Sequence, residues 1–330
     1  MKRFLFAILA ACTVAPAQGA QGERGAYANR PDVHDFIREM VERNGFVEKE
    51  MRFLFSRARR QQAVLKAIAP PKDAPLRSWQ VYRARFVNDL RIAGGAAFWK
   101  ANSAALERAA REHGVPEEII VAIIGVETLY GRHSGGFRVI DALTTLAFDY
   151  PPRAAFFRAE LEQYLLFTRD QEFDVFSVRG SYAGAIGIPQ FMPGSYRRYA
   201  VDFDGDGVID LLSNPADAIG SVANFLRMHG WKRGELIALP AHVTGAAHRS
   251  MLEAGIEPGI PVGELRQYGV ETRTGLALDT PVALIDLETP GAPIEYRLGL
   301  RNFYVLTRYN RASFYAAAVM DLGAAIKSAR

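Results

Sequence analysis

The stretch Val115-Pro-Glu-Glu-Ile-Ile-Val-Ala-Ile-Ile-Gly-Val-Glu127-Thr128 decides how the rest of the chain is read. Pro116 fits a first helical turn, and Glu117 and Glu118 favour its positive dipole end. Gly131 can close the helix. Within it Ile119, Ile120, Ile123 and Ile124 form one apolar stripe, and Glu127 falls on that stripe at helical spacing from all four. The pattern thus puts an acid on a buried face. Desolvation penalises the carboxylate form, so the pKa rises and the group can hold a proton near neutrality, as a general acid at a glycosidic oxygen must. The plainer alternative is that Glu127 ends its helix at solvent or meets a cation such as Arg132.

Outward from this helix the pattern stays helical. Before it, Val33, Phe36, Ile37, Met40 and Val41, then Met51, Leu54 and Phe55, repeat at helical spacing up to Pro70-Pro71. After it the helical pattern runs to about His229, broken by a Gly/Pro-rich segment, Gly180 to Gly194, and by an acidic loop. From Leu236 to Leu306 short apolar runs such as Pro281 to Leu287 and Phe303 to Leu306, separated by Gly and Pro, predict a small β lobe. Ala312 to Ala329 reads as a final helix. The expected class is α+β, predominantly α-helical. The expected divisions are a signal segment (1–20), an N-terminal helical lobe (21–78), a catalytic core (79–235), a β lobe (236–306) and a C-terminal segment returning to the core (307–330).

Five separated motifs carry a resemblance: Gly125-Val-Glu127-Thr128, the run Gly180 to Pro193, Asp217 to Asn224, His229-Gly-Trp231 and Thr307-Arg-Tyr-Asn310. In this order they resemble the lytic murein transglycosylase B family from about Trp79 to the C-terminus. The resemblance implies a lysozyme-like core with Glu127 as sole catalytic carboxylate. It also implies that Ser181 and Gln190 line the sugar site, that Tyr82, Tyr309 and Asn310 lie in the cleft, and that Arg153 meets the acidic stem peptide. Taken singly, Ser181 reads as a turn residue, Gln190 as a surface amide, Tyr82 as core and Arg153 as a solvated charge. Pro152 stands where the family often has a second arginine, and Phe225 where it often has tyrosine.

An ordinary glycosidase needs two carboxylates. Asp141, Asp149 and Glu160 are available as the second, but no motif recommends any of them. The family chemistry removes the need. Glu127 protonates the glycosidic oxygen, then takes the C6 proton as that hydroxyl closes on C1, leaving a 1,6-anhydromuramoyl end without consuming water. Phe191, Tyr182 and Tyr309 are candidates for apolar cleft walls, although each alone reads as core. A hydrolytic muramidase using water, and a non-catalytic calcium-dependent peptidoglycan scaffold, are the alternatives.

The acidic loop, Asp202-Phe-Asp204-Gly-Asp206-Gly207-Val208-Ile-Asp210, follows a calcium-loop pattern: oxygens at positions 1, 3 and 5, Gly at 6, a backbone carbonyl from Val208, Asp at 9. Position 12 is Ser213 where a bidentate Glu belongs, and the resemblance implies that Asp217 closes the site. A structural Ca²⁺ is expected, against an acidic surface turn. The absence of His or Cys argues against a hydrolytic zinc centre.

The chain has 330 residues, 49% hydrophobic and 23% charged, with a formal net charge of +4. This is a globular composition, mildly basic, suited to an anionic polymer. No Lys/Arg run with interleaved aromatics appears, so no nucleic-acid partner is expected. Lys2-Arg3, the apolar run from Phe4 and Ala15-Pro16-Ala17 read as a secretory signal, shorter than a transmembrane span. The one cysteine, Cys12, lies in it, so cleavage after Ala17 leaves no thiol. Leu9-Ala10-Ala11-Cys12 also matches a lipobox, against an ordinary small residue at that position. The expectation is an exported periplasmic monomer acting on peptidoglycan glycan strands, either soluble or associated with the outer membrane through Cys12.

Overall fold

The computed structural model describes residues 23–70, 78–273 and 275–330. The signal segment and Cys12 lie outside the described residues.

Three helices open the chain: α1 (Pro31–Asn44), α2 (Glu48–Arg57) and α3 (Gln62–Ile68). The short strands β1 (Glu23–Arg24) and β2 (Arg59–Arg60) pair antiparallel beside them. Val33, Phe36, Ile37, Met40, Met51, Leu54 and Phe55 are buried, as their spacing predicts, and Val41 is half-buried. This layer is not free-standing, because Phe36 and Phe55 both meet Phe148 edge-on.

The central layer comprises α4 (Trp79–Phe86), α5 (Asp89–Ala101), α6 (Ser103–His113), α7 (Glu117–Thr128), α8 (Val139–Asp149), α9 (Ala154–Asp170), α10 (Pro193–Tyr199) and α11 (Pro215–Met228). Strands β3 (Phe137–Arg138) and β4 (Arg179–Gly180) pair within it. Helix α7 is its axis. Sequence spacing predicts a single apolar stripe, yet every residue from Ile119 to Thr128 is buried, because α5, α6, α11 and the C-terminal helix enclose α7. A helix apolar all round needs such a sheath. Each buried isoleucine there contributes about 2 kcal/mol.

The predicted stop at Gly131 is also revised. Helix α7 ends at Thr128, and Leu129 (φ 52°) and Tyr130 (φ 62°) carry the reversal in the left-handed region before Gly131 is reached. The Tyr130 hydroxyl donates to the Arg91 carbonyl at 2.6 Å. A Cβ at Gly125 would stand 2.5 Å from that hydroxyl, so the glycine lets the turn fold back on its own helix.

The β lobe is a five-stranded antiparallel sheet of β5 (Ala238–Val243), β6 (Ile260–Pro261), β7 (Val270–Glu271), β8 (Pro281–Leu287) and β9 (Glu295–Gly299), in the order β6-β8-β9-β5-β7. The short helix α12 (Arg249–Glu253) caps its separate apolar cluster around Met251, Val282, Leu284 and Leu298. The run Phe303 to Leu306, read as strand from sequence, is instead inside helix α13 (Arg301–Tyr309). An apolar run of that length has no period of its own, and α13 buries Phe303, Val305 and Leu306 against the core. Helix α14 (Ser313–Ser328) then lies along α7. Among the described residues no helix is long and apolar enough to cross a membrane.

Candidate active site

Glu127 sits in the last turn of α7 and is 6% exposed. Its Oε1 accepts a 2.7 Å hydrogen bond from the hydroxyl of Tyr315, a fully buried residue in the first turn of α14. Burial is the larger influence and pushes the carboxyl from an ordinary 4.5 to about 7, while the bond from Tyr315 pulls it down. The Tyr315 hydroxyl is itself raised well above its usual value, by desolvation first and by the Glu127 charge second, so it stays a donor. Sequence spacing supplies Glu127 but not Tyr315, which lies 188 residues away and has no motif to flag it.

The Tyr309 ring lies parallel to Tyr315 with centroids 6.3 Å apart and planes 10° apart. Its hydroxyl donates to the Pro189 carbonyl at 2.6 Å, tying the end of α13 to the Gly/Pro-rich segment. The tie reaches α7 too: Thr128 Oγ1 donates to the Ile188 carbonyl at 2.8 Å. Phe225 is 4.9 Å from Tyr309, and Phe191 is 5.9 Å from Tyr309 and 5.6 Å from Phe225. Aromatic rings therefore wall the approach to Glu127 on this side.

Gln190 is 9% exposed with φ 53°, a buried, strained residue and not the surface amide its type suggests. Its Nε2 donates to the carbonyls of Ser134 (3.0 Å) and Gly187 (2.9 Å), which fixes the amide orientation. Ser181 keeps the turn role read from sequence: its Oγ accepts from Ala183 N (3.2 Å) and Ala185 N (3.0 Å). Tyr82 is half-buried on α4, against Trp79, Phe86 and Phe314. Asn310 follows Tyr309 at the end of α13. Arg153 stands apart, at the start of α9, with its guanidinium 4.4 Å from the Phe156 ring centroid; desolvation chiefly, and Arg311, depress its pKa. The structure thus links Glu127 to Tyr309 through Tyr315, and Tyr309 to the Pro189-Gln190 turn, with Tyr82, Ser181 and Arg153 on other elements.

In the acidic loop, carboxylate oxygens of Asp202, Asp204 and Asp217 lie within 4.8 Å of one another. Asp217 is completely buried; its oxygens accept from Phe203 N (2.6 Å) and Asp210 N (2.7 Å). Burial raises its pKa, and Asp204 and Asp202 raise it further. A buried carboxylate facing two others, with no arginine or lysine bonded to it, fits a hard cation held by oxygens. Asp206 and Asp210 lie outside this group. Asp206 accepts from Val208 N, and Asp210 caps the turn at Leu212 N and Ser213 N.

A cavity of about 620 Å³ lies elsewhere, between α4, α14 and the β8–β9 edge. Its charged groups satisfy one another: Arg297 bonds Asp321 (2.8 Å) and Glu295 (2.5 Å), and Arg83 bonds Asp321 (2.7 Å). Both acids there, Asp321 and Glu295, are paired with arginines.

A mostly helical, lysozyme-like core with an acid held near neutrality by burial fits an enzyme of the polysaccharide-cleaving class. The family described as transglycosylase SLT domain matches residues 28–324. The membrane-bound lytic murein transglycosylase B of Escherichia coli (strain K12) is 42% identical over 322 residues, covering 93% of this chain and 85% of that protein. The catenated lytic transglycosylase SltB1 of Pseudomonas aeruginosa superposes with a TM-score of 0.87 at 47% identity, over 92% of this chain and 99% of that one. The Escherichia coli lytic transglycosylase Slt35, solved in complex with calcium, gives a TM-score of 0.82 at 40% identity, over 96% and 99%. The chain belongs to this transglycosylase family, and it is a peptidoglycan lytic transglycosylase.

Proposed function

We propose that the enzyme cuts the β-1,4 bond between N-acetylmuramic acid and N-acetylglucosamine with Glu127 as its only catalytic carboxylate, leaving 1,6-anhydromuramoyl ends. The observation that carries this is a buried acid that accepts a hydrogen bond from a tyrosine and is poised near neutrality by its burial. In the first step Glu127 gives its proton to the glycosidic oxygen, and the bond to C1 breaks. In the second, the same group takes the proton of the C6 hydroxyl as its oxygen bonds C1. Atoms balance without water.

The other carboxylates support this economy. Asp141 is clasped by Arg138. Asp149 accepts from Arg30, Arg60 and Tyr27. Glu160 accepts from Gly194 N at the start of α10. Each has a structural task, so none is a ready nucleophile or base. Intramolecular attack draws its rate from effective concentration, which leaves the protein to hold the ring and exclude water. Tyr82, Tyr309, Asn310 and Ser181 line that site in this reading. Gln190 offers its Oε1 to a sugar, because Nε2 is committed to backbone, and Arg153 receives a stem-peptide carboxylate.

Asp202, Asp204 and Asp217, with the Val208 carbonyl and the adjoining Asp206 and Asp210, would hold a structural Ca²⁺ that fixes the loop between α10 and α11. Export to the periplasm follows from the N-terminal sequence.

The test is mass spectrometry of sugars released from purified sacculi by the wild type and by Glu127→Gln. Anhydro-muropeptides from the wild type alone are expected. Reducing-end products, one water heavier, would make it a muramidase, and binding without release would make it a scaffold.

A further inference from the structure

Beyond Tyr309 the row of rings continues in a direction that the mechanism does not use. Phe225 lies 4.0 Å from His229 with planes 28° apart, and Tyr199 closes the row 5.1 Å from His229 and 5.0 Å from Phe225. Phe225 is buried, whereas Tyr309 on one side of it and His229 and Tyr199 on the other are half-buried, so the row has accessible rings at both ends and runs on from the Tyr309 side of the site.

His229 has a fixed tautomer. Its Nδ1 lies 2.7 Å from the Phe225 carbonyl, which can only accept, so Nδ1 carries the hydrogen and Nε2 of the neutral ring is an acceptor. One ring face is covered by Phe225. Tyr199 is held from behind through its backbone, where Asn224 Nδ2 donates to the Tyr199 carbonyl at 2.9 Å. A rigid pair of half-exposed rings with one fixed acceptor matches a pyranose, which offers an apolar C–H face and hydroxyl or acetamido donors at its rim.

We infer that Tyr199 and His229 form an outer sugar subsite, stacking a residue of the same glycan strand one or more units from the bond cut at Glu127. This rests on the functional reading above, since the occupant is named by continuity with that site. A plain packing role is the competitor, because His229 also ends α11. The two differ in length dependence: packing serves every substrate equally, whereas an outer subsite serves only strands long enough to reach it.

Binding separates this from cleavage. In the Glu127→Gln protein, dissociation constants for a peptidoglycan tetrasaccharide and octasaccharide are measured by calorimetry, with Tyr199→Ala or His229→Phe added. Tyr199→Ala is expected to weaken the octasaccharide about fivefold, the worth of one aromatic stack. His229→Phe keeps the ring and removes Nε2, for a loss of about threefold. The tetrasaccharide should be unaffected by either. Equal weakening of both lengths, or no weakening with either variant, overturns the subsite. Failure of the wild type to cut sacculi would sink the functional reading alone, since binding is read without cleavage.

Discussion

Glu127 and Asp141 are both buried carboxylates, at 6% and 1% exposure, and the protein treats them in opposite ways. Asp141, on α8, is gripped by Arg138 through Nε (2.7 Å) and Nη2 (2.8 Å), and it also accepts from Arg59 N and Gln61 Nε2, which ties α8 to the N-terminal layer. Its charge is matched where it stands. Glu127 accepts from a tyrosine hydroxyl, and burial outweighs that bond, so the cost of burial appears as a raised pKa. A carboxylate gripped by an arginine holds two layers together; one whose burial dominates keeps a proton near neutrality. On the proposed mechanism that difference separates a structural acid from a chemical one.

The largest effect should come from removing the carboxyl that burial holds near neutrality. Glu127→Gln is expected to lower the rate of release from sacculi by about a thousandfold, the scale of a lost general acid. Its stability should move the other way. Below about pH 4.5 the carboxyl is protonated whether folded or unfolded. Between 4.5 and about 7 the unfolded chain has lost the proton that the folded one keeps, so wild-type stability falls as pH rises. Above about 7 the folded state carries the whole penalty, about 3 kcal/mol. Gln escapes this penalty, and its melting temperature should exceed that of the wild type by a margin that widens with pH. A margin independent of pH would mean that Glu127 bears no such cost.

Asp141→Asn tests the other half. Leaving the half-buried Arg138 without its partner carboxylate should cost about 2 kcal/mol of unfolding free energy in urea titration, with activity per folded molecule unchanged. An inactive variant of normal stability would place Asp141 in the chemistry and erase the contrast.

The two acids were not equally legible. Glu127 could be found because helical periodicity is local: its place among four isoleucines needs only the spacing. Asp141 remained an open alternative from sequence, because Arg59 and Gln61 reach it across about 80 residues. The acidic loop was legible as a local pattern, whereas Asp217 was pointed to only by the family resemblance; its carboxylate does lie beside those of Asp202 and Asp204. Gln190 was not legible, since its burial comes from Ser134 and Gly187 closing around it. The layers of helix and the β lobe followed from period and punctuation. Phe303 to Leu306 failed because tertiary burial, not pattern, selects helix over strand for so short a run.

Asp217 offers a third treatment of a buried acid, with other aspartates beside it in place of an arginine. On the proposed reading the charge match comes from outside the chain, as a bound cation. Calcium at a hundred times its dissociation constant should therefore stabilise the protein by about 2.7 kcal/mol, read as a melting-temperature drop of a few degrees on adding chelator. Asp217→Asn should abolish the response. A chelator that leaves the wild-type melting temperature unchanged would show that the three carboxylates bear their repulsion unaided.

The smallest expected effect is the most discriminating about Glu127 itself. Tyr315 donates to Oε1, which fixes the orientation of the carboxyl, and with its own pKa raised it stays a hydroxyl throughout. Tyr315→Phe keeps the ring parallel to Tyr309 but removes that bond, and activity should fall about tenfold as the carboxyl loses its fixed orientation. The bond favours the carboxylate, so its loss should raise the Glu127 pKa above about 7 and move the high-pH limb of the rate profile upward. A purely structural tyrosine would lower the melting temperature and leave that limb in place. A limb that shifts while the fold holds would show that tyrosine sets the proton-binding strength of the buried acid without neutralising it, as arginine does for Asp141.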